Sequence, residues 1–183
     1  MKLKSLLSAS LLLACVAAAG AGGSAAARGD GKKEKARPDF SGTWELDKSK
    51  SDFGLFRERP VSKADSSLVV EHKDPELKIT RTLRLNGQQE TKQFAYYTDG
   101  RGETNPAAIG AGEVKSKTKW DGERVAAQSK LSWPGRDGAA GPELDVTQRW
   151  QVSSDGKTLT NSTVMSSAQT GVQEMRLVYR RAP

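Results

Sequence analysis

The sequence predicts an all-β domain, an antiparallel meander closed into a barrel of about eight to ten strands. Three observations carry that expectation. Apolar and polar residues alternate with a period of two through much of the chain after residue 39, Asn-Gly and Asp-Gly pairs recur between the alternating runs, and no run shows the periodicity of a long helix. A strand points successive side chains to opposite faces, so alternation means one buried face and one wet face. Asn-Gly and Asp-Gly supply the positive φ values that tight hairpins demand, which makes consecutive strands antiparallel neighbours. Closure into a barrel removes the exposed edges that invite aggregation.

Nine segments read as strands: 43–46, 67–73, 76–85, 90–97, 113–120, 124–133, 144–152, 158–165 and 172–180. The first opens the fold with Gly42-Thr43-Trp44. The second sets Leu68, Val70 and His72 on one face, and Asp74-Pro75 turns it into the third. There Leu77, Ile79, Leu83 and Leu85 share the inner face with Arg81, opposite Lys78, Thr80, Thr82 and Arg84. Asn86-Gly87 leads to 90–97, and Asp99-Gly100 ends it. Val114, Ser116, Thr118 and Trp120 then oppose Lys115, Lys117 and Lys119. After Asp121-Gly122, Val125, Ala127, Leu131 and Trp133 oppose Arg124, Gln128 and Lys130. In 144–152, Gln148 falls between Val146 and Trp150 on the inner face. Asp155-Gly156 starts 158–165, and the last strand sets Met175, Leu177 and Tyr179 against Glu174, Arg176 and Arg180.

The longer connections are 47–64, 104–112 and 134–142. The first carries Phe53, Leu55 and Phe56, which suit a short helical or irregular lid over one barrel end. The third, rich in Gly and bounded by Pro134 and Pro142, reads as an irregular loop. It lacks the Gly-Lys-Ser/Thr ending of a phosphate cradle.

Ahead of the barrel, Lys2 and Lys4 precede an apolar run over 6–19, and small residues follow to Ala27, the pattern of a secretory signal peptide over 1–27. A flexible linker spans 28–38 and a single β-barrel domain 39–183. Two processing routes remain open. Leu12-Leu13-Ala14-Cys15 resembles a bacterial lipobox, so Cys15 is a candidate for lipidation and a membrane tether; cleavage after Ala27 instead releases a soluble exported protein. Both routes imply the periplasm or cell envelope, with outer-membrane anchoring under the first. Both leave no internal disulfide, because Cys15 is the sole cysteine. The 29 basic and 22 acidic residues give a net charge of +7, and near +5 once Lys2 and Lys4 are removed. Export and the spread of the basic residues over many strands argue against nucleic acid as a partner and toward anionic polymers or lipid head groups.

Phe40-Ser41-Gly42-Thr43-Trp44-Glu45-Leu46 resembles the opening strand of the calycins, the lipocalin and fatty-acid-binding-protein group, and the rhythm of Lys119-Trp120-Asp121-Gly122, Arg149-Trp150 and Leu177-Val178-Tyr179-Arg180-Arg181 is similar to their closing half. The chain resembles more narrowly a set of uncharacterised secreted bacterial proteins that begin with Phe-Ser-Gly-Thr-Trp. The resemblance implies a lipocalin-like barrel with Gly42 and Trp44 closing its floor, and an Arg from a late strand, Arg176 or Arg180, packed over the indole. The last strand departs from the fatty-acid clamp, which has an Arg two residues before the Tyr, since Leu177 stands there.

The residue inventory argues against catalysis. There is no Gly-x-Ser-x-Gly elbow, and His72 is the sole histidine. With no cysteine in the domain and one histidine, no metal site is expected and no cofactor is implied. Arg81 is the anomaly: a charge among Ile79 and Leu83 costs several kcal/mol unless paired or hydrated, so the interior there is wet or holds an anion. Gln148, Trp120, Trp133 and Tyr179 join it as candidate ligand-binding residues. Two readings follow. One is a non-catalytic envelope barrel that binds a small amphiphilic or lipid-like ligand through the end near Phe53 and Phe56. The other is a solid-core module that contacts envelope polymers or a protein partner, favoured by an interior smaller than roughly 300 Å³.

Overall fold

A computed structural model describes residues 36–134, 140–169 and 171–183, with the side chains at 133–142 outside that description. The signal segment, Cys15, most of the linker and the heart of the Gly-rich loop lie outside the described residues.

Ten strands follow one another as β1 (Gly42–Leu46), β2 (Asp65–Lys73), β3 (Glu76–Leu85), β4 (Gln88–Tyr97), β5 (Glu103–Pro106), β6 (Glu113–Asp121), β7 (Arg124–Pro134), β8 (Ala140–Val152), β9 (Thr158–Ser167) and β10 (Gly171–Arg181). All pairings are antiparallel, in the order β4-β3-β2-β1-β10-β9-β8-β7-β6-β5. The first and last strands meet, with Trp44 opposite Arg181 and Leu46 opposite Tyr179. The fold is therefore the expected all-β meander, curled into a nearly closed barrel. The Asn86-Gly87 hairpin has both residues at positive φ, 52° and 76°, as its sequence required.

The alternation carries through to burial. Leu68, Val70, Leu77 and Ile79 are buried and inward, while Lys78 and Arg84 are exposed. Phe94, Tyr96, Val125, Ala127, Trp150, Leu159 and Tyr179 complete the main core from the other walls. At roughly 25 cal/mol per Å² of apolar surface removed from water, this packed interior holds the fold without a disulfide.

β5 was not expected as a strand. It lies partly within the connection 104–112, and its four residues are too few to show alternation. Their role is closure. β4 and β5 share no backbone ladder, yet the Asn105 side chain stands in for one: its Oδ1 accepts from the Ala95 N–H at 2.7 Å and its Nδ2 donates to the Ala95 carbonyl at 2.8 Å. Beside it, Glu103 accepts from Ser116 Oγ at 2.5 Å, from Thr118 Oγ1 at 2.7 Å and from the Tyr97 N–H at 3.3 Å. This half-buried carboxylate is engaged at the seam.

Between β1 and β2 the chain makes two 3₁₀ turns, Lys48–Lys50 and Gly54–Phe56, and a one-turn helix α1 (Pro60–Lys63). This is the lid expected from Phe53, Leu55 and Phe56. It is pinned to β10: Asp47 N–H donates to the Val178 carbonyl at 2.8 Å, and Asp52 exchanges two 2.7 Å backbone hydrogen bonds with Arg176.

Candidate functional site

The two barrel ends differ in chemistry. At the floor, Trp44 is fully buried and its Nε1 donates to the Phe40 carbonyl at 3.0 Å. The cation above it is Arg181, its guanidinium carbon 4.2 Å from the ring centroid. Arg176, named from the sequence for that place, is exposed, and Arg180 turns outward to pair with Glu45 at 2.7 Å. The reason is the strand's own period: 175, 177, 179 and 181 share the inner face, and 176 and 180 do not. Gly42 leaves the space. A Cβ there would stand 2.3 Å from Arg181 Nη1, so the glycine of the Gly-x-Trp pair lets the guanidinium reach the indole.

Trp120 belongs to this floor and not to the interior cavity. Its indole N–H donates to Asp74 at 2.9 Å, and its ring lies against Phe40 and His72. Thr98 Oγ1 and Arg37 also bind Asp74, at 2.5 and 2.6 Å. Burial pushes the Asp74 carboxyl up, but the hydrogen bonds from Thr98 and Trp120 and the Arg37 charge outweigh it and hold the group below its ordinary 3.8. A lowered carboxylate stabilises the fold above its unfolded value and loses that contribution as pH falls through the folded one. The urea midpoint of Asp74→Asn therefore lies below that of the parent near pH 6, and the gap closes toward about pH 2; a constant gap across that range refutes the account.

The opposite end holds the candidate site, an interior cavity of about 110 Å³. Arg81 from β3, Phe94 and Tyr96 from β4, Gln148 and Trp150 from β8, Asn161 from β9 and Tyr179 from β10 line it, with Phe53, Phe56 and Val61 of the lid above. Of the residues singled out from sequence, Arg81, Gln148 and Tyr179 thus come together. Trp133 lies on β7 with its side chain outside the described residues. Sequence reasoning missed Asn161, although Leu159 and Met165 share its parity and mark its face as inward.

Arg81 sits over the Phe94 ring at 5.4 Å, and its Nη2 donates to the Ala108 carbonyl. Its paired residue Lys92 donates to the carbonyls of Ala107 at 3.0 Å and Gly110 at 2.6 Å, so two cations fasten the 107–110 loop over the mouth. Burial lowers the Arg81 pKa, with the charges around it partly opposing, and burial raises both Tyr96 and Tyr179, which stay protonated. The cavity wall also carries donors with no protein acceptor among the described residues: Arg81 Nε, Trp150 Nε1 and Asn161 Nδ2. Ser66 Oγ, also at this wall, makes no close hydrogen bond and stands beside the Tyr179 hydroxyl. Among the described residues no group of three or more His, Asp or Glu is placed to hold a metal ion.

Outside the lid an apolar depression of about 640 Å³ is lined by Leu55, Phe56, Arg59, Pro60, Val61 and Ile109. Phe56, Val61 and Ile109 also line the interior cavity, so one thin layer of side chains separates the two. Leu55 and Ile109 are 59% and 49% exposed, and both line this one apolar depression.

No protein-family model matches the chain, and no curated protein matches it. Solved structures do. A secretory abundant heat soluble protein from Ramazzottius varieornatus aligns at a TM-score of 0.53 and 13% identity, over 78% of this chain and 95% of that one. The zebrafish ileal bile acid-binding protein complexed with cholic acid aligns at a TM-score of 0.50 and 16% identity, over 78% of this chain and 98% of that one. At such identities the likeness is one of fold, and it is the calycin-like fold: a nearly closed, ten-stranded antiparallel barrel.

Proposed function

We propose that this protein is a non-catalytic container for a small amphiphilic or lipid-like molecule, entered between the lid and the 107–110 loop. The observation that carries the reading is the cavity behind that mouth, apolar on most sides and supplied with a few inward polar groups, the combination a small-ligand pocket needs. The shared wall of Phe56, Val61 and Ile109 supports a route for an apolar tail from the interior to the outer depression. The fold shared with a cholic-acid complex is consistent with it. The signal-like N-terminus supports work in the cell envelope, either tethered by a lipid on Cys15 or released after Ala27.

One observation favours the second reading, a solid module that binds envelope polymers or a protein. The interior, at about 110 Å³, falls short of the roughly 300 Å³ of an ordinary ligand pocket. The container reading therefore requires the lid to lift. Gly54 makes that testable, because it holds φ +51° and a Cβ there would meet the Glu174 carbonyl at 2.0 Å. Gly54→Ala is expected to unseat the lid from β10 at a cost of about 1–3 kcal/mol and to raise the binding rate of an apolar fluorescent probe several-fold. Native mass spectrometry of the protein from its own source should show a bound amphiphile. A ligand-free spectrum, together with no probe binding to either form, would leave the solid module standing.

A further inference from the structure

We infer that the cavity is built to receive an oxyanion, a carboxylate or phosphate, held by Arg81, Trp150 and Asn161; this deepens the container reading and rests on it. Trp150 Nε1 and Asn161 Nδ2 can only donate, their residues are 8% and 3% exposed, and neither finds an acceptor among the described residues. They stand side by side, as Trp150 and Asn161 are direct cross-strand partners on β8 and β9. From β3 on a different wall of the same cavity comes Arg81 Nε, a charged donor equally without a partner. No described carboxylate pairs with that guanidinium: its partners are the Ala108 carbonyl and the Phe94 ring. Asn161 Oδ1 already accepts from the Thr163 hydroxyl at 3.2 Å, which leaves the Nδ2 donor as the unpaired part of this cavity-lining side chain.

Buried donors left unpaired each cost about 1–3 kcal/mol, so three at one small cavity mark a place where an acceptor belongs. A neutral apolar ligand satisfies none of them. An alcohol offers a single oxygen, whereas an oxyanion offers several lone pairs and a charge for Arg81. The volume agrees: about 110 Å³ admits a compact polar group and little more, so any longer tail must leave past Phe56, Val61 and Ile109. This arrangement differs from a clamp on the last strand, where Leu177 occupies the place of the expected arginine.

The test is a titration of the full chain with octanoate, octanol and inorganic phosphate, followed at the indole N–H resonance of Trp150, assigned with Trp150→Phe. Octanoate is expected to shift that resonance saturably and to bind at least tenfold more tightly than octanol. Arg81→Met should erase the preference; because it also gives up the Ala108 hydrogen bond and the contact with the Phe94 ring, its melting temperature is measured alongside. Asn161→Ser, which retains Arg81, should weaken octanoate in the same direction and reports on the site even if Arg81→Met fails to fold. Equal binding of octanol and octanoate overturns the oxyanion site and leaves the container. Saturation by phosphate, with octanoate no tighter, supports the oxyanion site and overturns the amphiphile. No response to any of the three overturns both, and water then satisfies the donors.

Discussion

Trp44→Ala is expected to lower the unfolding free energy by about 3–5 kcal/mol, the largest single-residue effect in this fold. The indole is fully buried, and it sits where the first strand joins its two neighbours, since residue 44 pairs with Leu68 on β2 and with Arg181 on β10. Truncation opens a cavity in the floor, frees the Phe40 carbonyl that accepts from Nε1, and strips the Arg181 guanidinium of the ring beneath it. Trp44→Phe separates these contributions. It keeps a ring under the cation and loses the hydrogen bond, so it should cost about 1–2 kcal/mol, close to one hydrogen bond with some lost volume. Urea unfolding of both variants measures the difference, and a Trp44→Ala loss below about 1 kcal/mol would mean that the floor is held elsewhere.

The second large effect lies at the seam. Asn105→Leu, close in size, is expected to cost about 2–4 kcal/mol, because the Ala95 N–H and carbonyl lose both partners at once and leucine offers neither a donor nor an acceptor. Asn105→Asp should recover only part of this: a carboxylate can still accept from the Ala95 N–H but repels the carbonyl beside it. Hydrogen exchange gives the decisive measurement. The Ala95 amide should exchange one to two orders of magnitude faster in Asn105→Leu, while amides on the β9–β10 ladder, far round the barrel, should change only with global stability. Unchanged protection at Ala95 would show that the seam closes without this side chain.

The expectations taken from sequence divide by physical type. Strand faces were legible wherever a run was long enough to repeat, as in 76–85, because burial on one side of a sheet imposes a period of two. The same rule would have chosen Arg181 over Arg176, since Tyr179 fixes the parity of the inner face on β10. It failed at β5 for a different reason. Four residues ending in a proline carry no period, and closure is performed by two side chains, Asn105 and Glu103, that bond to β4 and β6 in place of a backbone ladder, which alternation does not register. Arg81 stood out as a charge in an apolar row, but its relation to Trp150 and Asn161 depends on the curvature that brings β3 across from β8 and β9.

The residues alone therefore determined the architecture: alternating segments, hairpin turns with positive φ and a Gly-x-Trp opening dictate antiparallel neighbours with one buried face, since these are local consequences of backbone sterics and of water avoiding apolar surface. What only the tertiary structure decided is which polar groups meet inside. Arg81, Trp150 and Asn161 are separated by as many as 80 positions in the chain and face one cavity only because the sheet closes, and cross-barrel proximity is set by strand tilt and register, quantities that no single segment encodes.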